Sequence, residues 1–194
     1  MFTGIVEEIG TIAAFTRAFP VARLTIRASQ VITDCKIGDS IAIDGVCLTV
    51  VASDAAGFSV EIQDETVQRT RVARYQPGQQ VNLERALTPH SLMGGHYVQG
   101  HVDAVGTVRA WHQEGPDWVL RVAVPAALSK YIVEKGFIAI NGISLTVTDC
   151  RRDVAVHVIP HTRTMTTLAH TRVGDLVNIE VDVLAKYVES LLKR

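Results

Sequence analysis

The sequence has few cysteines and almost no net charge. Its three cysteines, Cys35, Cys47 and Cys150, are odd in number and form no CxxC pair. This argues against a disulfide scaffold or a zinc site and favours reduced thiols in the cytoplasm. The 19 basic and 20 acidic side chains include no Lys/Arg-rich run, so no nucleic-acid partner is predicted. A neutral partner or a small molecule is expected instead.

Long apolar runs and phosphate-binding glycine motifs are also missing. No stretch approaches the roughly 18 apolar residues of a membrane span, and "MFTGIVEEIG" has no signal-peptide features. The glycines of "MGGH" match neither GxGxxG nor the Walker spacing, which favours a linker. His96 and His101 are five residues apart without a nearby cysteine or carboxylate pair, so no metal site is predicted.

The chain contains an internal duplication. "IDGVCLTV" at 43–50 returns as "INGISLTV" at 140–147, and "TGIVEEIGTI" at 3–12 aligns with "QGHVDAVGTV" at 99–108. Such self-similarity predicts two homologous domains. We place them at residues 1–96 and 97–181, joined near "LTPHSLMGGH" and followed by a tail at 182–194.

Each repeat has the pattern of an all-β domain. "ARLTIRA" and "FSVEIQ" alternate apolar and polar residues, and "IAIDGVCLTV" is rich in β-branched residues around an Asp-Gly turn. With 47% hydrophobic residues the chain can bury one moderate core or two small ones. Short strands with one helix-like insert, "AALSKYIVEKG", favour a small antiparallel barrel per repeat, although periodicity leaves a sandwich open.

The tail has a helical pattern. It places Leu184, Val188, Leu191 and Leu192 on one face behind Asp182 as N-cap, with Lys193 and Arg194 at the C-terminal end. Such a helix either packs on its own chain or associates with copies in an oligomer, and the residues leave both open.

Paired polar positions indicate two related but unequal sites. Strand alternation puts Cys47 and Thr49 on one face, and Ser144 and Thr146 on the matching face of the second repeat. Ser, Thr and Cys also suit crowded strands, and a lone Cys is often a small buried apolar residue. The repeats differ most informatively at four pairs: Cys47 and Ser144, Ile5 and His101, Ser40 and Phe137, Asp64 and Pro160.

These differences suggest a division of labour between the two sites. A thiol can add to an electron-poor ring carbon, and a histidine titrates near neutral pH and can transfer protons. From the residues alone, the chain is a duplicated β protein with two unequal small-molecule sites.

The motifs together resemble one family across essentially the whole chain. "MFTGIV", the doubled "GxxLTV", "GGHYVQGHV", "KGFIAINGISLTV" and "IPHT…TTL" are similar to riboflavin synthases of the alpha-chain type. The resemblance implies two six-stranded Greek-key β-barrels and a C-terminal α-helix through which three chains form a homotrimer. It further implies an active site between the N-terminal barrel of one chain and the C-terminal barrel of its neighbour, and association with lumazine synthase.

The resemblance also implies the reaction. Two molecules of 6,7-dimethyl-8-(1-D-ribityl)lumazine dismutate, one donating a four-carbon unit to the other, to give riboflavin and 5-amino-6-(D-ribitylamino)uracil without a cofactor or metal. His101 would transfer protons, Cys47 and Ser40 would activate or supply the nucleophile at ring carbon 7, and Thr49 and Thr66 would orient the substrate.

Substrate contacts carried over by motif occur in both repeats. In the first they are Gly4, Ile5, Val6, Cys47, Leu48, Thr49, Glu61, Ile62, Gln63, Asp64, Glu65 and Thr66. In the second they are Gly100, His101, Val102, Lys135, Ser144, Leu145, Thr146, His157, Val158, Ile159, Pro160, His161 and Thr162.

Two other functions are weighed against catalysis. Lumazine-type antenna proteins of luminous bacteria share the fold and the ligands but resemble degraded synthases at the catalytic positions, whereas this chain keeps "MFTG", Cys47 and His101. A purely structural β module would leave the paired polar faces unexplained.

Overall fold

Alternating apolar residues form twelve strands in the part of the chain that the computed structural model describes, residues 1–18 and 21–193. Strands β1 to β6 are Glu8–Ala18, Val21–Arg27, Ser40–Ile43, Val46–Asp54, Gly57–Gln63 and Gln80–Arg85. Strands β7 to β12 are Ala104–Glu114, Asp117–Ala123, Phe137–Ile140, Ile143–Asp149, Val154–Val158 and Leu176–Val181. The helices α1, α2 and α3 are Asp64–Arg69, Pro160–Thr164 and Val183–Leu192.

Each repeat closes into its own six-stranded antiparallel barrel. The first barrel runs in the order β1-β2-β5-β4-β3-β6, with β6 pairing back onto β1, and the second follows the same order. Strand β2 pairs with β5 and not with β3, which is the Greek-key connection. The predicted all-β fold of two tandem Greek-key barrels is therefore confirmed, and closure excludes the sandwich.

The inward faces of the strands form one apolar core per barrel. Every second residue is buried over residues 46–50 of β4 and 143–147 of β10, so Leu48 and Leu145 point inward while Cys47 and Thr49 lie on the outer face. The predicted alternation is confirmed. A third, smaller cluster, containing Phe2 and Val98, lies outside both cores.

Two asparagines link the barrels around an approximate two-fold axis. The side-chain amide of Asn82 donates to the Asn141 carbonyl at 3.0 Å, and that of Asn178 donates to the Asp44 carbonyl at 2.9 Å. The halves differ where buried Asp44 accepts a 2.7 Å hydrogen bond from the Tyr75 hydroxyl. Burial raises the pKa of this carboxyl. The duplication is therefore visible in the hydrogen bonds between the barrels as well as in the barrels themselves.

The β3–β4 and β9–β10 turns meet at glycines. Asp44 and Gly45 both have positive φ, as a two-residue hairpin turn of type I′ requires, and so do Asn141 and Gly142. A Cβ atom built on Gly45 would lie 2.7 Å from the backbone nitrogen of Gly142. The glycines thus set how closely the barrels approach.

We expect Gly45→Ala to lower the free energy of unfolding by at least about 2 kcal/mol, because it combines a strained φ with a backbone clash. Urea denaturation followed by circular dichroism measures the change. Gly38→Ala is the matched control, since Gly38 also has positive φ but nothing within 4 Å of the added Cβ. Equal losses in the two variants would contradict the role assigned to the close approach.

The C-terminal helix forms largely as the sequence predicts. Asp182 caps α3 by accepting a 2.9 Å hydrogen bond from the Leu184 amide, and Lys186 reaches Asp103 at 2.6 Å. The apolar face is left exposed on the single chain: Leu184, Tyr187, Val188, Leu191 and Leu192. Arg194, predicted at the end of the helix, lies outside the described residues. No helix in the described part of the chain is long and apolar enough to span a bilayer.

The short helices were not predicted. Helix α1 begins at the end of β5 with Asp64 and Glu65 in its first turn, where acidic side chains interact favourably with the helix dipole. Helix α2 begins with Pro160, which suits a first helical position. The helix-like insert "AALSKYIVEKG" forms only a 3₁₀ helix at Ala126–Tyr131. These short segments lack the repeated apolar spacing that identifies longer helices.

Candidate functional site

The first candidate site lies on the outer face of the β3–β4 hairpin. Cys47 is half-buried and Thr49 is exposed, and Ser40 pairs with Thr49 across the two strands. Three of the predicted catalytic side chains therefore share one face of one hairpin. Leu48 has its side chain in the barrel core, so it can offer a ligand only its backbone.

The start of the second repeat crosses onto this face. The Gly100 carbonyl accepts a 2.9 Å hydrogen bond from the Cys47 amide, and Val102 packs against the core of the first barrel. Gly100 has φ +78°, and a Cβ atom built there would lie 2.6 Å from the Cβ of Cys47. His101, exposed between these two contacts, is thereby brought to the first barrel although it belongs to the second repeat.

The second candidate site repeats this exchange. The Gly4 carbonyl accepts a 2.8 Å hydrogen bond from the Ser144 amide, and Val6 packs against the core of the second barrel. Ile5 is exposed between them, and Thr146 is exposed on β10. Each site therefore combines one barrel with the opening segment of the other repeat.

The remaining predicted residues flank the two hairpins. Strand β5 runs antiparallel to β4, so its C-terminal end and helix α1, which carries Thr66, lie beside the start of β4. Glu61, Gln63, Asp64 and Glu65 are exposed there, and Ile62 is buried in the core. In the second barrel, strand β11 and helix α2 place His157, Ile159, Pro160 and His161 on the surface, with Thr162 half-buried and Val158 in the core.

Lys135 has an unusual backbone for its residue type. Its φ is +66°, and its amide donates to the Val147 carbonyl at 2.8 Å, as Gly38 does to Val50 in the first barrel. A non-glycine residue in this conformation is strained, and such strain is concentrated at functional sites. The side chain is exposed near the start of β9.

His96 is a site residue that sequence reasoning missed. Its Nδ1 atom lies 2.7 Å from the Ser144 hydroxyl, and its ring stacks on Phe137 with 5.1 Å between centroids. Burial lowers the pKa of this imidazole, which favours the neutral ring. In the sequence His96 was assessed only as a possible metal ligand. No local pattern shows that the end of the linker contacts β10.

Two buried glutamates were also missed. Glu84 accepts hydrogen bonds from the amides of Thr3 and Gly4 at 2.6 and 3.0 Å. Glu180 accepts them from the amides of Gln99 and Gly100 at 2.6 and 2.9 Å. Burial raises the pKa of both carboxyls, that of Glu180 to about 7. The signal was present in the repeated "VNLE" and "VNIE", but only the fold shows what the glutamates hold.

A cavity of about 560 Å³ lies beside the first site. Ser40 and Ile5 line it, together with Cys35 and Arg85, but Cys47, Thr49, Thr66 and His101 do not. On the single chain the surfaces that carry them are open, since Thr49 and His101 are exposed and Cys47 and Thr66 are only half-buried.

No group of three His, Cys, Asp or Glu side chains in the described ranges is arranged to hold a metal ion. His157 lies on β11 and His161 in α2, so they do not share a strand face.

Comparison with known proteins places the chain in a family. A family model described as "Lumazine binding domain" matches it twice, at residues 3–86 and 99–182. The riboflavin synthase of Mycobacterium bovis (strain ATCC BAA-935 / AF2122/97) is 48% identical over 198 residues, covering 100% of this chain and 98% of the relative. The chain belongs to the riboflavin synthase family. The riboflavin synthase of Photobacterium phosphoreum is 43% identical to it, covering 99% of this chain and 89% of the relative.

Solved structures share the riboflavin synthase fold seen here. LumP complexed with riboflavin matches this chain with a TM-score of 0.86 and 24% sequence identity. LumP complexed with 6,7-dimethyl-8-(1'-D-ribityl) lumazine matches it with a TM-score of 0.84 and 23% sequence identity. Each covers 93% of this chain and 99% of the other. At this identity the likeness shows the fold alone.

The two family matches begin at the segments that cross between barrels. A boundary between residues 96 and 97 therefore separates the two repeats in the sequence, but it does not separate the two sets of residues that contact each barrel. The domain boundaries stay a prediction.

Proposed function

We propose that this member of the riboflavin synthase family catalyses the dismutation of two molecules of 6,7-dimethyl-8-(1-D-ribityl)lumazine. The products are riboflavin and 5-amino-6-(D-ribitylamino)uracil, and the four-carbon unit lost by one substrate is gained by the other. Atoms and electrons balance between the two substrates, so the overall reaction calls for no external oxidant.

The observation that carries this proposal is one site built twice with different chemistry. The first copy joins Cys47 to the segment that bears His101, whereas the second joins Ser144 to the segment that bears Ile5. A reaction between two identical molecules with different fates needs two similar but unequal pockets.

The proposed roles follow from the groups on the first site. The 7-methyl group of the lumazine is acidic because its carbanion delocalises into the ring, so an imidazole such as His101 suffices to remove the proton. Cys47 or Ser40 activates or supplies the nucleophile at ring carbon 7, and Thr49 and Thr66 orient the substrate. Holding two rings in register supplies effective molarities of about 10⁵ M or more.

We propose a homotrimer with active sites between subunits. The exposed apolar face of α3 supports it, because such a face on a folded chain indicates an interface. Open sites on the single chain support it too, since a neighbouring barrel would close them, and Lys135 stays a proposed substrate contact. Association with lumazine synthase is part of the same proposal and is tested by co-sedimentation.

A cytoplasmic location is also proposed. Its support is that Cys35, Cys47 and Cys150 are free thiols, as proteins of reducing compartments have.

A non-catalytic lumazine- or flavin-binding protein is the second candidate. The fold likeness to LumP favours it. However, a protein that only binds its ligand gains nothing from having Cys47 and His101 in one site and neither of them in the other.

The deciding experiment mixes the purified protein with 6,7-dimethyl-8-ribityllumazine, without metal, flavin or nicotinamide, and follows absorbance and fluorescence. We expect the riboflavin spectrum to grow at one riboflavin per two lumazines consumed. Bound but unchanged lumazine would support the binding protein and remove the roles given to Cys47 and His101.

A further inference from the structure

Glu180 holds the backbone that leads into His101. It lies near the end of β12 and is buried. One carboxylate oxygen accepts the Gln99 amide at 2.6 Å and the other accepts the Gly100 amide at 2.9 Å. Above its raised pKa of about 7 this carboxyl is ionised, and hydrogen bonds to an ionised acceptor are about twice as strong as neutral ones. Two successive peptide groups are thereby fixed by one side chain.

Gly100 transmits this position to the first site. Its amide binds Glu180, and its carbonyl accepts the Cys47 amide at 2.9 Å. The left-handed φ of Gly100 and the 2.6 Å approach of a built Cβ to Cys47 leave the segment little freedom. His101 follows Gly100 directly, so the position of its backbone beside β4 depends on this pair of contacts.

We infer that Glu180 is a positioning residue for catalysis: it aims His101 at the first-barrel site by clamping Gln99 and Gly100. The kinetic part of this inference rests on the proposed function. Glu180 belongs to the second barrel. Proton transfer at the first site therefore depends on how the two barrels are positioned against each other.

Glu84 provides a matched comparison within the same chain. It clamps the amides of Thr3 and Gly4 in the same way and also accepts the Thr3 hydroxyl at 2.8 Å. The segment it holds leads to Ile5, which cannot transfer a proton. Loss of Glu84 should therefore disturb the second site without acting through His101.

The test is a double-mutant cycle with Glu180→Gln, which keeps the shape but turns an amide N–H toward one of the two donors. We expect kcat to fall about tenfold, while the lumazine dissociation constant changes less than threefold. In a His101→Gln background the same substitution should lower kcat by less than twofold, because the effects of residues that act together are not additive. Glu84→Gln should cost the same factor in both backgrounds.

Hydrogen–deuterium exchange by mass spectrometry gives a readout that needs no turnover. We expect exchange in the peptide containing Gln99 and Gly100 to rise at least tenfold in Glu180→Gln, with no change at Thr3 and Gly4. Glu114→Gln, on an exposed hairpin, is the control for both measurements. If Glu180→Gln does not fold, Glu180→Asp, which retracts the carboxylate by one methylene, is expected to give smaller changes of the same sign.

Two results would overturn the inference: equal costs of Glu180→Gln in both backgrounds, or unchanged exchange at Gln99 and Gly100. A protein that turns over no lumazine but shows the exchange change would refute the proposed reaction and keep the clamp.

Discussion

Replacing His101 with glutamine is expected to lower lumazine turnover by about a hundredfold or more, because general acid–base groups contribute about 10² to 10⁴ to rates. The imidazole is exposed and takes no part in either barrel core, so the unfolding temperature should change by no more than about 2 °C. Steady-state absorbance and thermal unfolding by circular dichroism measure the two effects. Glutamine retains polarity and approximate size but cannot exchange protons near neutral pH.

His112→Gln is the control, since that histidine is exposed on β7, away from both hairpins. Normal turnover in His101→Gln would refute the proton-transfer role.

Cys47→Ser gives the first site the hydroxyl that Ser144 provides in the second. A large loss of turnover at unchanged stability is expected if the thiol matters to the chemistry, and unfolding at unchanged specific activity would refute the site assignment.

Introducing charge on the apolar face of α3 is expected to separate the subunits and abolish turnover. In Leu184→Glu/Leu191→Glu, each substitution removes a leucine whose burial between subunits would stabilise the trimer by about 2 kcal/mol. Sedimentation velocity should show a monomer, while the circular dichroism spectrum stays that of the folded barrels. Activity is lost because, as proposed, each site needs a barrel from two chains.

Ser190→Glu is the matched control, because Ser190 is exposed on α3 but does not belong to its apolar face. It should leave a trimer with normal turnover. An active monomer of the double variant would show that one chain completes its own sites, and a trimer of that variant would place the interface elsewhere.

Much of the architecture follows from the sequence. The two-residue alternation that separates Cys47 from Leu48 is a local property of strands, and the structure has it as predicted. The Asp44-Gly45 turn and the capped C-terminal helix are local in the same sense. The duplication then extends each local pattern to the other half of the chain, which is why two similar β domains could be predicted without the structure, whereas their closure into six-stranded barrels was implied by the family resemblance.

The candidate site was predictable only in its residue types. Comparison of the repeats showed Cys47 and His101 at two of the four positions where the repeats differ most informatively, but it aligned His101 with Ile5 and so placed it at the start of its own domain. The contact between Gly100 and Cys47 joins residues that lie in different repeats. No periodicity within one repeat carries information about such a contact.

The sequence by itself determined that this protein is a duplicated β chain, because strand alternation and turn residues are local patterns and the two repeats can be matched directly, and its motifs supplied the resemblance to riboflavin synthases. Only the tertiary structure decided which barrel each opening segment completes. Glu180 and Glu84 clamp those segments, and His96 meets Ser144, through contacts between residues about 48 to 81 positions apart. These contacts exist only after both barrels close and their paired glycine turns meet.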